Sequence, residues 1–294
     1  MRKRTLSTLA GTAGLILALT ACSGDGGAEP PVEEVDASDF AEGSTMASLA
    51  EAGTIRIGTK FDQPLFGLDD GTGNPQGFDV EIGKIIAGEL GIEPGDIEWV
   101  LTESVNREPF IENGEVDIVI ATYTINDTRK EVVSFAGPYY EAGQALLVPE
   151  GNPEGITGPE DLEGKPVCTV GGSTSEQNIL EYGADVTALN GYADCLDPLR
   201  NGQVVALTTD NVILSGYVDQ NPGEFQLVAD EDDNPVLFTE EPYGIGLALD
   251  DTDFREWIND VLEASYEDGR WDAAWEATAG AVLPLPEAPA VDRY

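Results

Sequence analysis

Several side chains in the middle of this chain could bind a carboxylate and an ammonium group. Arg129 carries a planar guanidinium whose N–H groups match the two oxygens of a carboxylate. Thr122 and Thr124 lie where a predicted strand ends, and hydroxyl and carbonyl groups there can accept from an ammonium. A hydroxyl can also donate to a carboxylate. The local sequence also allows a simpler explanation, in which Arg129 pairs with Glu131 or Asp127 on a helix surface and the threonines only favour a strand.

Lys60 and Arg107 are candidates for binding a second, more distal carboxylate. Lys60 follows the first predicted strand of the core, and Arg107 lies at the mouth of the next strand-to-helix turn. Two cations directed at the far end of a ligand favour a carboxylate over an amide. Alternatively, both are surface charges that compensate nearby acids. Phe61 and Phe66 could wall the aliphatic part of such a ligand, or they could be ordinary core residues.

The composition argues against several other functions. The chain has 56 acidic and 14 basic residues and no histidine, which gives a formal net charge of −42. Such a charge argues against binding nucleic acid or an anionic membrane surface through a basic face. The absence of histidine excludes histidine-based acid–base chemistry and histidine metal ligation. We therefore expect neither a cofactor nor a metal.

The N-terminus has the pattern of an export signal. A basic start at residues 2–4 and an apolar run at residues 6–19 precede Cys22, and the run is shorter than the ~20 residues that span a bilayer. The Leu-Thr-Ala before Cys22 resembles the lipobox of bacterial lipoproteins, which implies removal of residues 1–21 and acylation of Cys22. An ordinary signal with an unrelated cysteine is the alternative.

Both ends of the remaining chain are poor in core-forming residues. Residues 22–50 are rich in Gly, Pro, Glu, Asp and Ala, and this composition predicts a flexible tether. The proline-containing tail at residues 281–294 is expected to be loose as well.

The region between these ends alternates strand and helix patterns. Strands are predicted at residues 54–59, 97–101, 116–121, 166–170 and 204–207. Helices are predicted at residues 79–90, 107–113, 175–182, 192–201, 212–219 and 254–266. This alternation predicts parallel sheets covered by helices, in a core long enough for two domains.

A weak internal repeat relates the two halves of this core. Two Asn-Gly helix stops, at residues 113–114 and 201–202, each precede a predicted strand, and Thr122 and Asp210 lie eight residues beyond the glycines. Because ligands bind outside the carboxyl ends of strands in open α/β sheets, these two side chains would face one cleft. Asn-Gly is also a common helix stop, and Asp210 could instead cap the helix that begins at Asn211.

Six segments of the chain follow a known family pattern in order. They are Gly77-Phe78-Asp79-Val80, Phe135-Ala136-Gly137-Pro138-Tyr139-Tyr140 and Glu241-Pro242-Tyr243-Gly244-Ile245-Gly246, together with residues 121–129, 171–174 and 209–210. Together they resemble family 3 of the bacterial extracellular solute-binding proteins, which supply polar amino acids to ABC transporters. The similarity is greatest to the glutamate-binding lipoprotein branch.

The resemblance implies an α/β fold with two lobes, the type II fold of periplasmic binding proteins. Each lobe would hold a mixed, mainly parallel sheet with flanking helices, with residues 51–139 and 244–280 in the first lobe and 140–243 in the second. Two crossover segments would lie near residues 137–140 and 241–244. Cys168 and Cys195 match the disulfide of the glutamate branch, and disulfides persist outside the cytoplasm. Two reduced thiols are the alternative.

The resemblance also implies the roles of site residues. Arg129 would grip the α-carboxylate of an amino acid, and Asp210 would hold its α-ammonium. A loop containing Ser173 and Thr174, at the start of a helix, would meet the α-carboxylate from the second lobe. The two distal cations named above match positions in relatives that bind acidic amino acids.

These inferences predict a monomeric binding protein without catalysis. It would capture glutamate, or aspartate, by closing its lobes, and deliver it to an ABC permease from a lipid anchor outside the cytoplasmic membrane. A glutamine- or asparagine-binding protein is the nearest alternative. A dehydratase-type enzyme on this fold, the sensor domain of a receptor and a lipoprotein with a protein partner are further ones.

Overall fold

The computed structural model describes residues 35–294, and the twelve strands and nine helices below belong to this range. The strands are β1 Ile55–Thr59, β2 Asp62–Gln63, β3 Gly67–Leu68, β4 Ile97–Leu101, β5 Ile118–Val119, β6 Val133–Ala142, β7 Gln144–Pro149, β8 Pro166–Val170, β9 Asp185–Leu189, β10 Ala206–Asp210, β11 Phe225–Leu227 and β12 Glu241–Ala248. The helices are α1 Thr45–Ala52, α2 Phe78–Glu89, α3 Arg107–Glu112, α4 Asp127–Lys130, α5 Thr174–Glu181, α6 Leu196–Arg200, α7 Asn211–Gln220, α8 Thr252–Asp268 and α9 Arg270–Thr278.

Two five-stranded mixed sheets define the two lobes. The first sheet has the order β4-β1-β5-β12-β6, with β1 parallel to β4 and β5 and with β12 antiparallel to its neighbours. The second has the order β11-β7-β10-β8-β9, with β8 parallel to β9 and β10. Helices α2 and α3 connect the parallel strands of the first sheet, and α5 and α6 connect those of the second. The predicted fold class is confirmed.

The long strands β6 and β12 carry the chain between the sheets. They pair antiparallel from Val133 and Ala248 at one end to Ala142 and Glu241 at the other. The chain enters the second sheet just after Gly143 and returns to the first at Glu241. The first crossing is therefore four residues after the boundary inferred at residue 140, and the second is three residues before that inferred at residue 244.

Residues 35–50 differ from the expected flexible tether. Ser44 caps α1 by accepting from the N–H of Ala47 at 3.1 Å, and the buried side chains of Met46 and Leu49 join the core of the first lobe. Upstream of the helix, the ring of Phe40 packs edge-on against Trp257 at 6.0 Å. A few apolar residues dock this segment although its overall composition is polar. Cys22, with the export signal and the first part of the tether, lies outside the described residues.

The C-terminal tail is also docked and not loose. The N–H of Asp292 donates to the Gly137 carbonyl at 2.8 Å, and the hydroxyl of Tyr294 accepts from the N–H of Phe135 at 2.8 Å. Both partners lie on β6, which is an edge strand with unpaired backbone groups. Arg293 adds ion pairs to three acids of α8, namely Glu256, Asp260 and Glu263.

The structure confirms the disulfide between Cys168 and Cys195, which joins β8 to the turn before α6. No helix among residues 35–294 has the length and hydrophobicity needed to cross a membrane.

Candidate ligand-binding site

The predicted site residues gather between the two sheets, at the carboxyl ends of parallel strands. Lys60 follows β1 and Thr122 follows β5 in the first lobe, while Gly171 follows β8 and Asp210 ends β10 in the second. Contacts across the gap bring the lobes together: the hydroxyls of Thr124 and Thr174 lie 3.3 Å apart. The topology therefore brings donors and acceptors of both lobes together where the two sheets face each other.

Arg129 is buried in α4 and reaches the second lobe, where Nη2 lies 3.5 Å from the Gly172 carbonyl. The side chain of Asn126 fixes the start of α4 by accepting from the Arg129 N–H at 2.9 Å. The guanidinium donates to the Thr124 carbonyl at 2.7 Å, and its Nε lies 3.2 Å from Glu108 Oε1. The surface pairing with Glu131 or Asp127 is thus not what the structure shows. Burial and repulsion from Arg107 lower the pKa of Arg129 to about 10, so it stays charged at neutral pH.

Thr122 adopts a left-handed backbone conformation, with φ at +44°, at the end of β5. Buried Asp79 holds it there, because one carboxylate oxygen accepts from the Thr122 N–H at 2.8 Å and the other from the Tyr139 hydroxyl at 2.6 Å. Burial raises the pKa of Asp79 to about 7, although both hydrogen bonds favour the carboxylate. The Thr122 hydroxyl lies 3.0 Å from Gln63 Oε1. Asp79 therefore fixes the backbone of Thr122, one of the residues predicted to bind the ligand.

Ser173 and Thr174 lie at the start of α5. The Ser173 hydroxyl accepts from the Glu176 N–H at 3.0 Å and donates to the Val170 carbonyl at 2.7 Å, so it serves as the helix cap. Thr174 is half-buried and meets Thr124 of the first lobe. The first N–H groups of a helix have no intrahelical acceptor, which suits a carboxylate at this position.

Asp210 occupies the N-cap position of α7, yet its side chain makes no capping hydrogen bond. One oxygen accepts from the Tyr243 hydroxyl at 2.6 Å, and the other is buried without a hydrogen-bond partner among residues 35–294. Burial raises the pKa of Asp210 to about 7, and the charge of Glu241 adds to this effect. A buried acceptor of this kind requires a donor, and an ammonium group would supply one.

Lys60 and Arg107 converge on Ser104. Lys60 Nζ donates to the Ser104 hydroxyl at 2.9 Å, and Arg107 Nε to the Ser104 carbonyl at 3.3 Å. Their exposed fractions are 4% and 3%, and within residues 35–294 no carboxylate oxygen lies within 4.0 Å of either charged group. Burial, with repulsion from Arg107, lowers the pKa of Lys60 to about 7. The two cations are therefore not surface charges.

The two phenylalanines differ in their surroundings. Phe66 is fully buried in an aromatic cluster, where its ring meets those of Phe78, Tyr140 and Tyr243 at about 6 Å, edge to face. These contacts make it a core residue beneath the site. Phe61 is half-buried. A role for either ring as a wall of the ligand stays a prediction.

Sequence reasoning missed several residues of this site. Tyr123 lies between the two threonines, and the guanidiniums of Arg107 and Arg129 lie over its ring, 4.3 and 4.9 Å from the centroid. Glu241 accepts from the Thr124 hydroxyl at 2.7 Å. Asp79, Tyr123 and Glu241 stand inside segments of the family pattern, so the pattern contained a signal for them. For Ser104 the sequence contained none.

Further contacts close the lobes beside the site. The hydroxyl of Tyr217, on α7, donates to the carbonyl of Asp62 at 2.8 Å, and the Asp62 carboxylate accepts from the Ala193 N–H at 3.3 Å. Gly172 lies so close to Val105 that an added Cβ would meet it at 2.7 Å. The described arrangement is therefore a closed one.

Fold and site together define a binding protein with a cleft between two lobes, and sequence comparison identifies its family. The chain belongs to the bacterial extracellular solute-binding proteins, family 3, whose model matches residues 55–277. It is thus a solute-binding protein of amino-acid ABC transport.

Similar proteins differ in the ligands their names state. The chain is 40% identical over 238 residues to the glutamate-binding protein GluB of Corynebacterium efficiens, covering 79% of this chain and 80% of that protein. It is 36% identical over 265 residues to the ABC transporter glutamine-binding protein GlnH of Bacillus subtilis, covering 89% and 92%. A solved ancestral arginine-binding protein bound to glutamine is 37% identical with a TM-score of 0.70, covering 78% of this chain and 98% of that one.

Proposed function

We propose that this protein binds an acidic amino acid, glutamate or aspartate, between its lobes and delivers it to an ABC importer. The observation that carries the proposal is the pair of buried cations, Lys60 and Arg107, with no carboxylate within 4.0 Å among residues 35–294. Buried charges need an opposite charge, because desolvation otherwise costs several kcal/mol for each ion. A distal carboxylate of the ligand would supply that charge.

The remaining charges of an α-amino acid would have partners as well. Arg129 would bind the α-carboxylate, helped by the start of α5 at Thr174. The unpaired oxygen of Asp210 would accept from the α-ammonium, together with Thr122 and Thr124. Similarity to GluB supports glutamate, whereas similarity to GlnH keeps glutamine as the competing ligand.

Calorimetry of the chain from residue 23 onward, stripped of ligand, against glutamate, aspartate, glutamine and asparagine tests the proposal. The parent should bind an acidic amino acid more tightly than its amide. In Lys60→Gln and in Arg107→Gln the glutamate-to-glutamine affinity ratio should fall by at least tenfold, because an amide needs no cation. Lys165→Gln, at the opposite end of β8 from the site, is the matched control and should leave the ratio unchanged. A ratio that stays constant in both site variants would exclude acidic specificity.

We further propose that the protein is exported and anchored by a lipid on Cys22, at the outer face of the cytoplasmic membrane. The Leu-Thr-Ala sequence before Cys22 and the extracellular family support this location. Cell fractionation of Cys22→Ala should find the protein released into the medium. A variant retained in the membrane fraction like the parent would exclude the anchor.

A further inference from the structure

Glu241 is a buried carboxylate that receives hydrogen bonds from both lobes. Its exposed fraction is 2%, and it lies at the start of β12, where the chain returns to the first lobe. Oε2 accepts from the Thr124 hydroxyl of the first lobe at 2.7 Å. Oε1 accepts from Asn178 Nδ2, on α5 of the second lobe, at 3.1 Å and from the Thr239 hydroxyl of the crossing segment at 2.8 Å.

These contacts fix the direction of the hydroxyl hydrogens around the site. A carboxylate only accepts, so the single hydroxyl hydrogen of Thr124 points to Glu241. In the 3.3 Å contact between Thr124 and Thr174, the Thr174 hydroxyl must therefore be the donor. The Thr124 oxygen accepts from Thr174 with one lone pair, and with the other it can only accept from a ligand.

The same hydrogen-bond network connects Glu241 to helix α5 of the second lobe. Asn178 Nδ2 also donates to Gln144 Oε1 at 2.9 Å, and the Gln144 N–H donates to the Thr239 hydroxyl at 3.0 Å. Gln144 in turn donates to the Ser175 carbonyl in the first turn of α5 at 3.1 Å. The position of Thr124 is thereby linked to the position of α5 when the lobes are closed.

We propose, on the basis of the function proposed above, that Glu241 is a positioning residue for the ammonium group of the ligand. It holds the Thr124 hydroxyl as an acceptor and links that hydroxyl to α5 in the closed arrangement. Its charge also acts on the site, because it favours the charged form of Arg129 and raises the pKa of Asp210. Since every α-amino acid carries the ammonium, Glu241 would contribute to the affinity for all of them equally.

Glutamine at position 241 should not reproduce the hydrogen bonds that the carboxylate accepts. An amide has one acceptor oxygen and one donor nitrogen, whereas the site presents three donors to two acceptor oxygens. In one orientation the amide nitrogen faces Asn178 Nδ2, which cannot accept. In the other it faces the Thr124 hydroxyl, which would then accept from the amide and turn its own hydrogen away from position 241, so that it is no longer held as an acceptor for the ligand. Glu241→Gln should therefore weaken glutamate and glutamine alike, roughly 10- to 100-fold, as for a lost hydrogen bond to a charged group.

The first test is a double-mutant cycle measured as dissociation constants for glutamate. Glu241→Gln, Thr124→Val and their combination are compared with the parent, and the exposed neighbour Glu240→Gln is the control with the same chemical change. If Glu241 acts through the Thr124 hydroxyl, the combination costs no more than the worse single variant. Additive losses, or an unchanged affinity in Glu241→Gln, overturn the proposal.

The pH profile of binding supplies a readout that a purely structural role would not move. Asp210 must be ionised to pair with an ammonium, so affinity falls at pH values below its pKa of about 7. Because the charge of Glu241 raises the pKa of Asp210, Glu241→Gln should move this loss of affinity to lower pH. Glu240→Gln should leave the pH of the loss unchanged. The titratable and charged groups that face Asp210 are Tyr243 and Glu241 of β12, Tyr140 of β6, Tyr192 before α6, and Arg107 and Arg129 of the first lobe.

Failure of this inference can be told apart from failure of the proposed function. A parent that prefers glutamine refutes the acidic specificity, and the cycle is then measured with glutamine, which carries the same ammonium. If Glu241→Gln does not fold, Thr124→Val and Asn178→Ala replace it, since each removes one of its donors. Both should weaken glutamate and glutamine by the same factor, and an unchanged affinity in both overturns the proposal.

Discussion

Binding of an acidic amino acid should take up a proton, because Lys60 is pressed toward its neutral form in the closed site. Burial and the nearby Arg107 lower the pKa of Lys60 to about 7. Pairing with a distal carboxylate favours the ammonium and returns the pKa toward the usual value of about 10.4. Between these two pKa values, glutamate binding must be accompanied by protonation of Lys60, and part of the binding free energy is lost to that protonation.

The size of the effect follows from the pKa difference. One pH unit above the free-state pKa costs about 1.4 kcal/mol, or a factor of about 10 in affinity. For a ligand-free protein in the closed arrangement, in which the pKa of Lys60 is about 7, the glutamate affinity should fall about 50-fold between pH 7 and pH 9. Glutamine has no distal charge and should show no such loss, so the ratio of the two affinities isolates Lys60 from groups that affect both ligands.

Calorimetry in two buffers of different ionisation enthalpy would measure the proton directly. At pH 8 the parent should take up about 0.9 proton for each glutamate bound, as expected for a pKa of about 7. Lys60→Met should abolish both the uptake and the alkaline loss, while the control Lys165→Met should keep them. If glutamate and glutamine have the same pH profile in the parent, Lys60 does not meet the distal group and the reasoning is refuted.

Three other predictions concern separate parts of the molecule. Arg129→Ala should weaken glutamate and glutamine alike by about 2–5 kcal/mol in calorimetry, because a buried carboxylate loses its partner; a selective loss would contradict its α-carboxylate role. Replacing Cys168 and Cys195 together by alanine should lower the free energy of unfolding in urea by about 3–4 kcal/mol for a loop of 27 residues, and an equal midpoint would contradict this. Tyr217→Phe, which removes the hydrogen bond to the Asp62 carbonyl, should weaken both ligands by about 0.5–1.5 kcal/mol at a constant ratio. Small-angle scattering should then show a larger radius of gyration at sub-saturating ligand, and a profile identical to that of the parent would exclude the contact as a closure element.

Features with a strong local pattern could be predicted from the sequence. The alternation of strand and helix patterns indicated parallel sheets, and the two Asn-Gly helix stops placed Thr122 and Asp210 at strand ends. By contrast β9 at Asp185–Leu189 was not predicted, because none of the residues of this edge strand is fully buried and it carries no continuous apolar run. The docked N-terminal helix α1 was missed because Met46 and Leu49 stand alone in a polar segment.

The polar network of the site depends on partners that are far apart in sequence. Thr124 and Glu241 are separated by 117 positions, and Tyr139 and Asp79 by 60. In a chain with 56 acidic residues, composition cannot show which carboxylates are buried and which are solvated. Local sequence therefore identified the cations, which are scarce, better than the acids that position the site.

The crowding of cations suggests why closure should depend on an anionic ligand. Arg107 and Arg129 lie over the ring of Tyr123, and Lys60 meets Arg107 at Ser104; burial together with repulsion from Arg107 lowers the pKa of both Lys60 and Arg129. In the closed arrangement without a ligand, this repulsion is relieved when Lys60 gives up its proton, so closure on its own does not keep all three cations charged. A ligand with two carboxylates offsets that repulsion only when the lobes close on it. A ligand shifts a conformational equilibrium only by its difference in affinity for the two states, and here that difference is largest for an acidic amino acid.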